Sequence, residues 1–147
     1  MLRSAAVVAA AVWLMGMPAR AASDAETAKE IVAMERKALD AWVTGNPDPM
    51  LSMADSKITY FHIMTEERLD GIAALKSLFE QYRGVPLFDS YEMADPKVQV
   101  MGDAAVLTYV VSFRRNGAIT KYNSTQVYQR QKDGWKVVHS HWSRTAG

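Results

Sequence analysis

From Leu87 onward, apolar and polar residues alternate with a period of two, and turn-forming pairs interrupt the alternation at Asp95-Pro96, Gly102-Asp103, Asn116-Gly117 and Asp133-Gly134. Asn-Gly and Asp-Gly between alternating runs are strong short-range signals for hairpins, because tight hairpin turns need residues that tolerate positive φ. The pattern predicts strands over Leu87 to Met93, Val98 to Met101, Ala104 to Phe113, Ile119 to Arg130 and Trp135 to Ser143. Strands joined this way form an antiparallel meander, and one covered face is the minimum they need.

The covering elements come first in the chain. Ser23-Asp24-Ala25-Glu26 has the form of a capping box, and Ala28, Ile31, Met34, Ala38 and Trp42 follow at helical steps. Gly45-Asn46-Pro47 stops that helix, and a short helical turn is expected around Met50 to Met53. After a short strand, Ile58 to His62, Asp70 is placed to cap a second clear helix carrying Ile72, Leu75, Leu78, Phe79 and Tyr82 and ending at Gly84. Thr65 to Asp70 reads as a solvated loop and helix start, and Arg83 suits the negative end of the helix dipole. Helices first and a meander afterwards define an α+β domain with helices packed on one face of a curved sheet.

Residues 1–21 have the grammar of a secretory signal. Arg3 gives a positive start, Ala5 to Met17 carries no charge, and Ala19-Arg20-Ala21 offers small residues at the −3 and −1 sites. The expectation is a periplasmic or secreted domain of residues 22–147 with no stable membrane anchor after cleavage. Removing Arg3 and Arg20 leaves fifteen basic against sixteen acidic residues, and no basic run exceeds two. So even a balance gives no footprint for nucleic acid. The absence of cysteine excludes disulfides, a thiolate nucleophile and cysteine-based metal sites. No phosphate loop, Ser-His-Asp order or His-Glu-x-x-His motif occurs, and nothing in the chain calls for a cofactor.

The order of elements resembles the nuclear transport factor 2-like superfamily, the cone-shaped fold of the SnoaL-like proteins. Asp95-Pro96-Lys97-Val98-Gln99-Val100-Met101-Gly102-Asp103-Ala104-Ala105 is similar to a stretch of the calcium/calmodulin-dependent protein kinase II association domain. So is the ending from Val127 to Ser143, in which Trp135 and His139-Ser140-His141-Trp142 are the more specific part. The resemblance implies a dimer-forming domain, with helices on the concave face of the sheet and a pocket between them. It does not imply one chemistry, because one fold hosts many functions. Where the kinase domain lines its pocket with arginines, this chain has Val111, Gln126 and Trp142. On the first strand it reads Tyr60-Phe61-His62-Ile63, where bacterial relatives with this ending carry Tyr-Phe-Asp-Pro.

Strand alternation then selects candidate pocket residues. Leu107, Tyr109, Val111 and Phe113 share one face; so do Tyr122, Ser124, Gln126 and Tyr128 on the next strand, and Val138, Ser140 and Trp142 on the last. The expected binding wall is Tyr60, His62, Tyr109, Gln126, Tyr128 and Trp142, suited to a small amphiphilic or apolar molecule. His62 is the one titratable group that the pattern places in the cavity, and no carboxylate joins it there. An alternative is therefore a proton-transfer enzyme of the isomerase, cyclase or dehydratase type. It would use His62 as base and Tyr60 or Tyr128 as hydrogen-bond donor. A second alternative is an oligomerisation module without a ligand.

The opposite face of the sheet carries Val106, Thr108 and Val110, Thr125 and Val127, and Val137 beside His139 and His141. Two main helices cannot cover both faces, so this side predicts a homodimer contact through Val110, Val127, His139 and His141. His139 and His141 lack a third ligand in the pattern, and no metal site is expected.

Overall fold

The computed structural model describes residues 23–145. Helix α1 (Asp24–Trp42) begins with the capping box: the Glu26 amide donates to Ser23 Oγ at 3.2 Å and the Ser23 amide to Glu26 Oε2 at 2.8 Å. The side chains it buries are Thr27, Ile31, Glu35, Ala38, Leu39 and Trp42. The buried stripe thus contains Glu35, while Ala28 and Met34 sit half-buried at its margin. Gly45 closes the turn at φ +72°, and a Cβ there would meet the Val85 backbone nitrogen at 2.4 Å. Helix α2 (Asp48–Met53) follows at once.

Strands β1 (Ala54–Phe61) and β2 (Leu69–Asp70) lead into helix α3 (Ile72–Glu80). Asp70 does not cap α3. It lies in β2 and binds the Arg68 guanidinium, while Gly71, at φ +84°, occupies the cap position. The helix also ends before Gly84, and Arg83 binds Glu80 and Asp48.

The meander comprises β3 (Ser90–Met101), β4 (Ala104–Arg115), β5 (Ala118–Gln131) and β6 (Gly134–Arg144). The sheet order is β2-β1-β6-β5-β4-β3. Every pairing is antiparallel except β1 with β6, which run parallel. The sheet is curved and unclosed, with the helices packed on one face, so the α+β cone is the observed architecture.

Two bulges depart from the sequence reading. The runs expected on either side of Asp95-Pro96 are one strand, whose register shifts between Ala94 and Lys97, with Asp95 at φ +48°. Pro96 cannot donate a ladder hydrogen bond, and β3 tolerates it because it is the edge strand. In β6, Val127 faces His139 but Tyr128 faces Val137, so Val138 is the extra residue. The bulge reverses the expected phase of the strand's first half. Trp135 and Val137 are buried on the helix side, and Val138 is not part of the inner row.

Candidate functional site

The inner face of β4 buries Leu107, Tyr109 and Val111 in turn, followed by the half-buried Phe113. Beneath the helices these residues form two layers of different character. At the narrow level, Glu35 enters from α1 and is wholly buried. The Tyr109 hydroxyl donates to its Oε1 at 2.5 Å, the Tyr128 hydroxyl to its Oε2 at 2.9 Å, and Gln126 Nε2 to Oε1 at 3.4 Å. Burial raises the Glu35 pKa, because removing a carboxylate from water costs more than two tyrosine hydroxyls return. Both tyrosines are pushed up as well, by burial and then by the Glu35 charge. Gln126 Oε1 is buried in this cluster without a hydrogen-bond partner among the described residues.

Above that layer the helices and sheet diverge around a cavity of about 360 Å³. Its walls are largely aromatic. Phe88 stacks on Phe113 with centroids 4.3 Å apart, and Phe113 is nearly parallel to Trp142 at 6.0 Å. Phe79 meets Trp42 and Tyr60 edge-on at 5.2 and 6.0 Å. The Tyr109 edge meets Trp142 at 6.0 Å, so the floor of the cavity rests on the Glu35 layer.

His62 continues the inner face of β1 past its end and lines the cavity, its ring stacked on Tyr60 at 5.4 Å. Burial pushes its pKa down to about 4, so the imidazole is neutral at pH 7. Its Nδ1 accepts the Met64 amide proton at 3.2 Å. The proton of a neutral ring must then sit on Nε2, which has no hydrogen bond to a described residue. Burial raises the Tyr60 pKa; Trp142 Nε1 donates to Ser140 Oγ at 3.1 Å. Arg115 and Thr120 line the outer end, and Arg115 is the one formally charged side chain among the described lining residues.

The expected wall therefore divides. Tyr60, His62 and Trp142 line the cavity, whereas Tyr109, Gln126 and Tyr128 do not: Glu35 fills the space before them and takes their hydrogen bonds. Glu35 is the buried carboxylate that the residue pattern did not name. The signal was its position four residues after Ile31 and four before Leu39, inside the apolar stripe. Neither titratable group is poised near neutrality in an open site. Glu35 is sealed off, and His62 is a weak base at about 4.

On the outer face, Val110, Val127 and His139 are half-buried and His141 is exposed. The Thr59 hydroxyl and His139 Nδ1 lie 2.8 Å apart, and Phe61, 43% exposed, packs against both histidines. Among the described residues, no three His, Cys, Asp or Glu side chains gather as a metal site, and no helix is long and apolar enough to cross a membrane.

A curved sheet with helices over its concave face and a cavity at the wide end defines a nuclear transport factor 2-like domain. Residues 27–146 match the model of the calcium/calmodulin dependent protein kinase II association domain, and the chain belongs to that family. It is similar to a candidate ketosteroid isomerase from Parabacteroides distasonis ATCC 8503, at 28% identity and a TM-score of 0.70 over 78% of this chain and 85% of that one. It is also similar to the S. rosetta CaMKII hub, at 28% identity and a TM-score of 0.66 over 80% and 95%. An NTF2-like protein from Pseudomonas putida KT2440 shares the fold, with a TM-score of 0.75 at 20% identity over 84% and 90%. No curated protein matches the chain.

Proposed function

We propose that this protein is a periplasmic or secreted domain that binds a small, largely apolar molecule in the cavity between its helices and sheet. The observation that carries this reading is the cavity itself, about 360 Å³ walled by aromatic rings. That is within the size range of small-molecule sites, which combine apolar walls with a few polar groups. Binding is favoured over proton transfer because His62 is neutral and weakly basic, while Glu35 lies beneath the floor. The address rests on the signal-like segment of residues 1–21, which lies outside the described residues. Intact mass of the exported protein tests it: a start at Ala22 supports secretion, and a membrane-held species retaining residues 1–21 overturns it.

The binding test uses phenylnaphthylamine, a neutral apolar dye that fluoresces out of water. Saturable binding weakened by Trp142→Ala and untouched by Lys136→Ala is expected, because Lys136 lies outside the cavity lining. No saturable binding, or equal effects from both changes, refutes the reading.

A second reading concerns assembly, and the outer sheet face favours it. Val106, Thr108, Val110, Thr125 and Val127 form a continuous half-buried surface with no helix over it among the described residues, and Phe61 extends it. Such a patch suits a contact between two copies of the chain. The similarity to a structure named as a hub points the same way. Sedimentation at micromolar concentration tests it, with Val110→Lys expected to turn a dimer into a monomer. A wild-type monomer overturns it.

A further inference from the structure

The cavity is apolar in its walls but one-sided in its charge. Among the described lining residues there is no Asp or Glu, and Arg115 is the single formal charge. Its position follows from the strand. Val111, Phe113 and Arg115 succeed one another on the inner face of β4, with Val111 buried, Phe113 half-buried and Arg115 exposed. Two residues of strand advance about 6.6 Å, so the cation stands roughly one ring-length beyond Phe113, at the hairpin end of the cone. Among the described residues Arg115 forms no ion pair. Two arginines near helix α3 are spent: Arg83 holds Glu80 and Asp48, and Arg68 holds Asp70.

The second polar group is His62. The Met64 amide occupies Nδ1, so the neutral ring offers the cavity an N–H donor and no acceptor. The Trp142 N–H is engaged with Ser140. The lining thus presents a guanidinium at the mouth, an imidazole donor within and the hydroxyls of Tyr60, Tyr82, Thr120 and Tyr122, which both give and accept hydrogen bonds, with no carboxylate to receive a ligand's proton or balance a ligand's positive charge. A cationic ligand would meet unpaired positive charge, and a purely hydrocarbon ligand would leave both donors unanswered.

From this arrangement we propose that the occupant of the cavity is an amphiphilic organic anion. Its ring-bearing body lies against Phe113, Trp142 and Phe79, its anionic group meets Arg115 at the mouth, and an acceptor on the body takes the His62 Nε2 proton. The proposal rests on the binding reading above and gives that ligand its charge and orientation. It also accounts for the neutral state of His62, which donates from Nε2 without needing a charge.

Two dyes with the same fused rings separate the claims: anilinonaphthalene sulfonate, which carries an anion, and neutral phenylnaphthylamine. The folded wild-type protein is expected to bind the sulfonate at least tenfold more tightly, with the preference shrinking as salt rises. Arg115→Gln should cut the ratio of the two affinities about tenfold. Lys121→Gln, on the outer face, should leave the ratio unchanged and so controls for net charge. His62→Phe, which keeps the ring stack but loses the donor, should weaken the sulfonate less than Arg115→Gln does. Circular dichroism of each variant confirms folding. If phenylnaphthylamine binds in the cavity but the sulfonate is not preferred, or if the Arg115 and Lys121 variants lower the ratio equally, the anion proposal is overturned while the cavity reading stands. If neither dye binds saturably, both fail.

Discussion

Replacing Glu35 by glutamine isolates a carboxyl whose ionisation is opposed by its burial. The wild-type carboxyl is wholly buried and its pKa is raised, mainly by desolvation. In the unfolded chain the same group ionises with a pKa near its ordinary value of 4.5. Below that value both states hold the proton, and the stabilising contribution of the protonated, hydrogen-bonded group is fully present. As pH rises, the unfolded state releases its proton first. Stability then falls by up to about 1.4 kcal/mol per pH unit until the folded group also ionises. Glutamine cannot ionise, so Glu35→Gln removes this slope. Its amide oxygen still accepts from one tyrosine, and its NH2 can donate to the oxygen of the other. Near pH 4 the variant should match wild type within about 1 kcal/mol, the net worth of one altered neutral hydrogen bond. By about pH 7 it should be the more stable of the two, by an amount that grows with the width of the window. Glu35→Ala behaves differently: it strands the Tyr109 and Tyr128 hydroxyls, at about 1–3 kcal/mol each, and leaves a cavity as well. Set against a typical total of about 5–15 kcal/mol, that loss is severe. Urea unfolding followed by circular dichroism, in buffers from about pH 4 to about pH 8, measures all three proteins. Parallel pH profiles for wild type and Glu35→Gln would refute the reading that burial raises the Glu35 pKa.

Other outcomes follow from single contacts. The His62 ring should titrate by NMR near the depressed value of about 4, and stability that depends on its neutral form is kept above about 6.5 and lost as pH falls toward that value; titration near 6.5 would mean that the ring is solvated. Gly45→Ala should lower stability by more than about 1 kcal/mol, because its Cβ would strike the Val85 backbone at a positive φ; an unchanged melting temperature would place the two segments further apart. Arg83→Ala removes contacts to Glu80 and Asp48 that are solvent-exposed, and should leave the melting temperature nearly unchanged; a clear drop would give this ion-pair network a structural role.

Local chemistry carried much of the fold. The capping box at Ser23, the stop at Gly45-Asn46-Pro47 and the turn at Asn116-Gly117 each depend on backbone requirements met within a few residues and lie where the pattern placed them, while the last hairpin turns one residue early, at Lys132-Asp133, with Gly134 opening β6. The inward rows of β4 and β5 were equally readable, because side chains on a regular strand cannot leave their face. What depended on distant partners was not. Val138 is bulged because β5 and β6 change register beside it, and no residue type marks that event. Asp95-Pro96 reads as a break on composition, but an edge strand can carry it as a bulge. The parallel pairing of β1 with β6 joins residues 80 positions apart, which no local period records. The site divides along the same line. Strand phase put Tyr60, His62 and Trp142 on the cavity side, but which inward side chains meet open space depends on what the helices bring opposite them. Glu35 sits inside an apolar stripe, where an acid alone looks like an error. Only the tertiary fold supplies Tyr109 and Tyr128, from two different strands, to satisfy it.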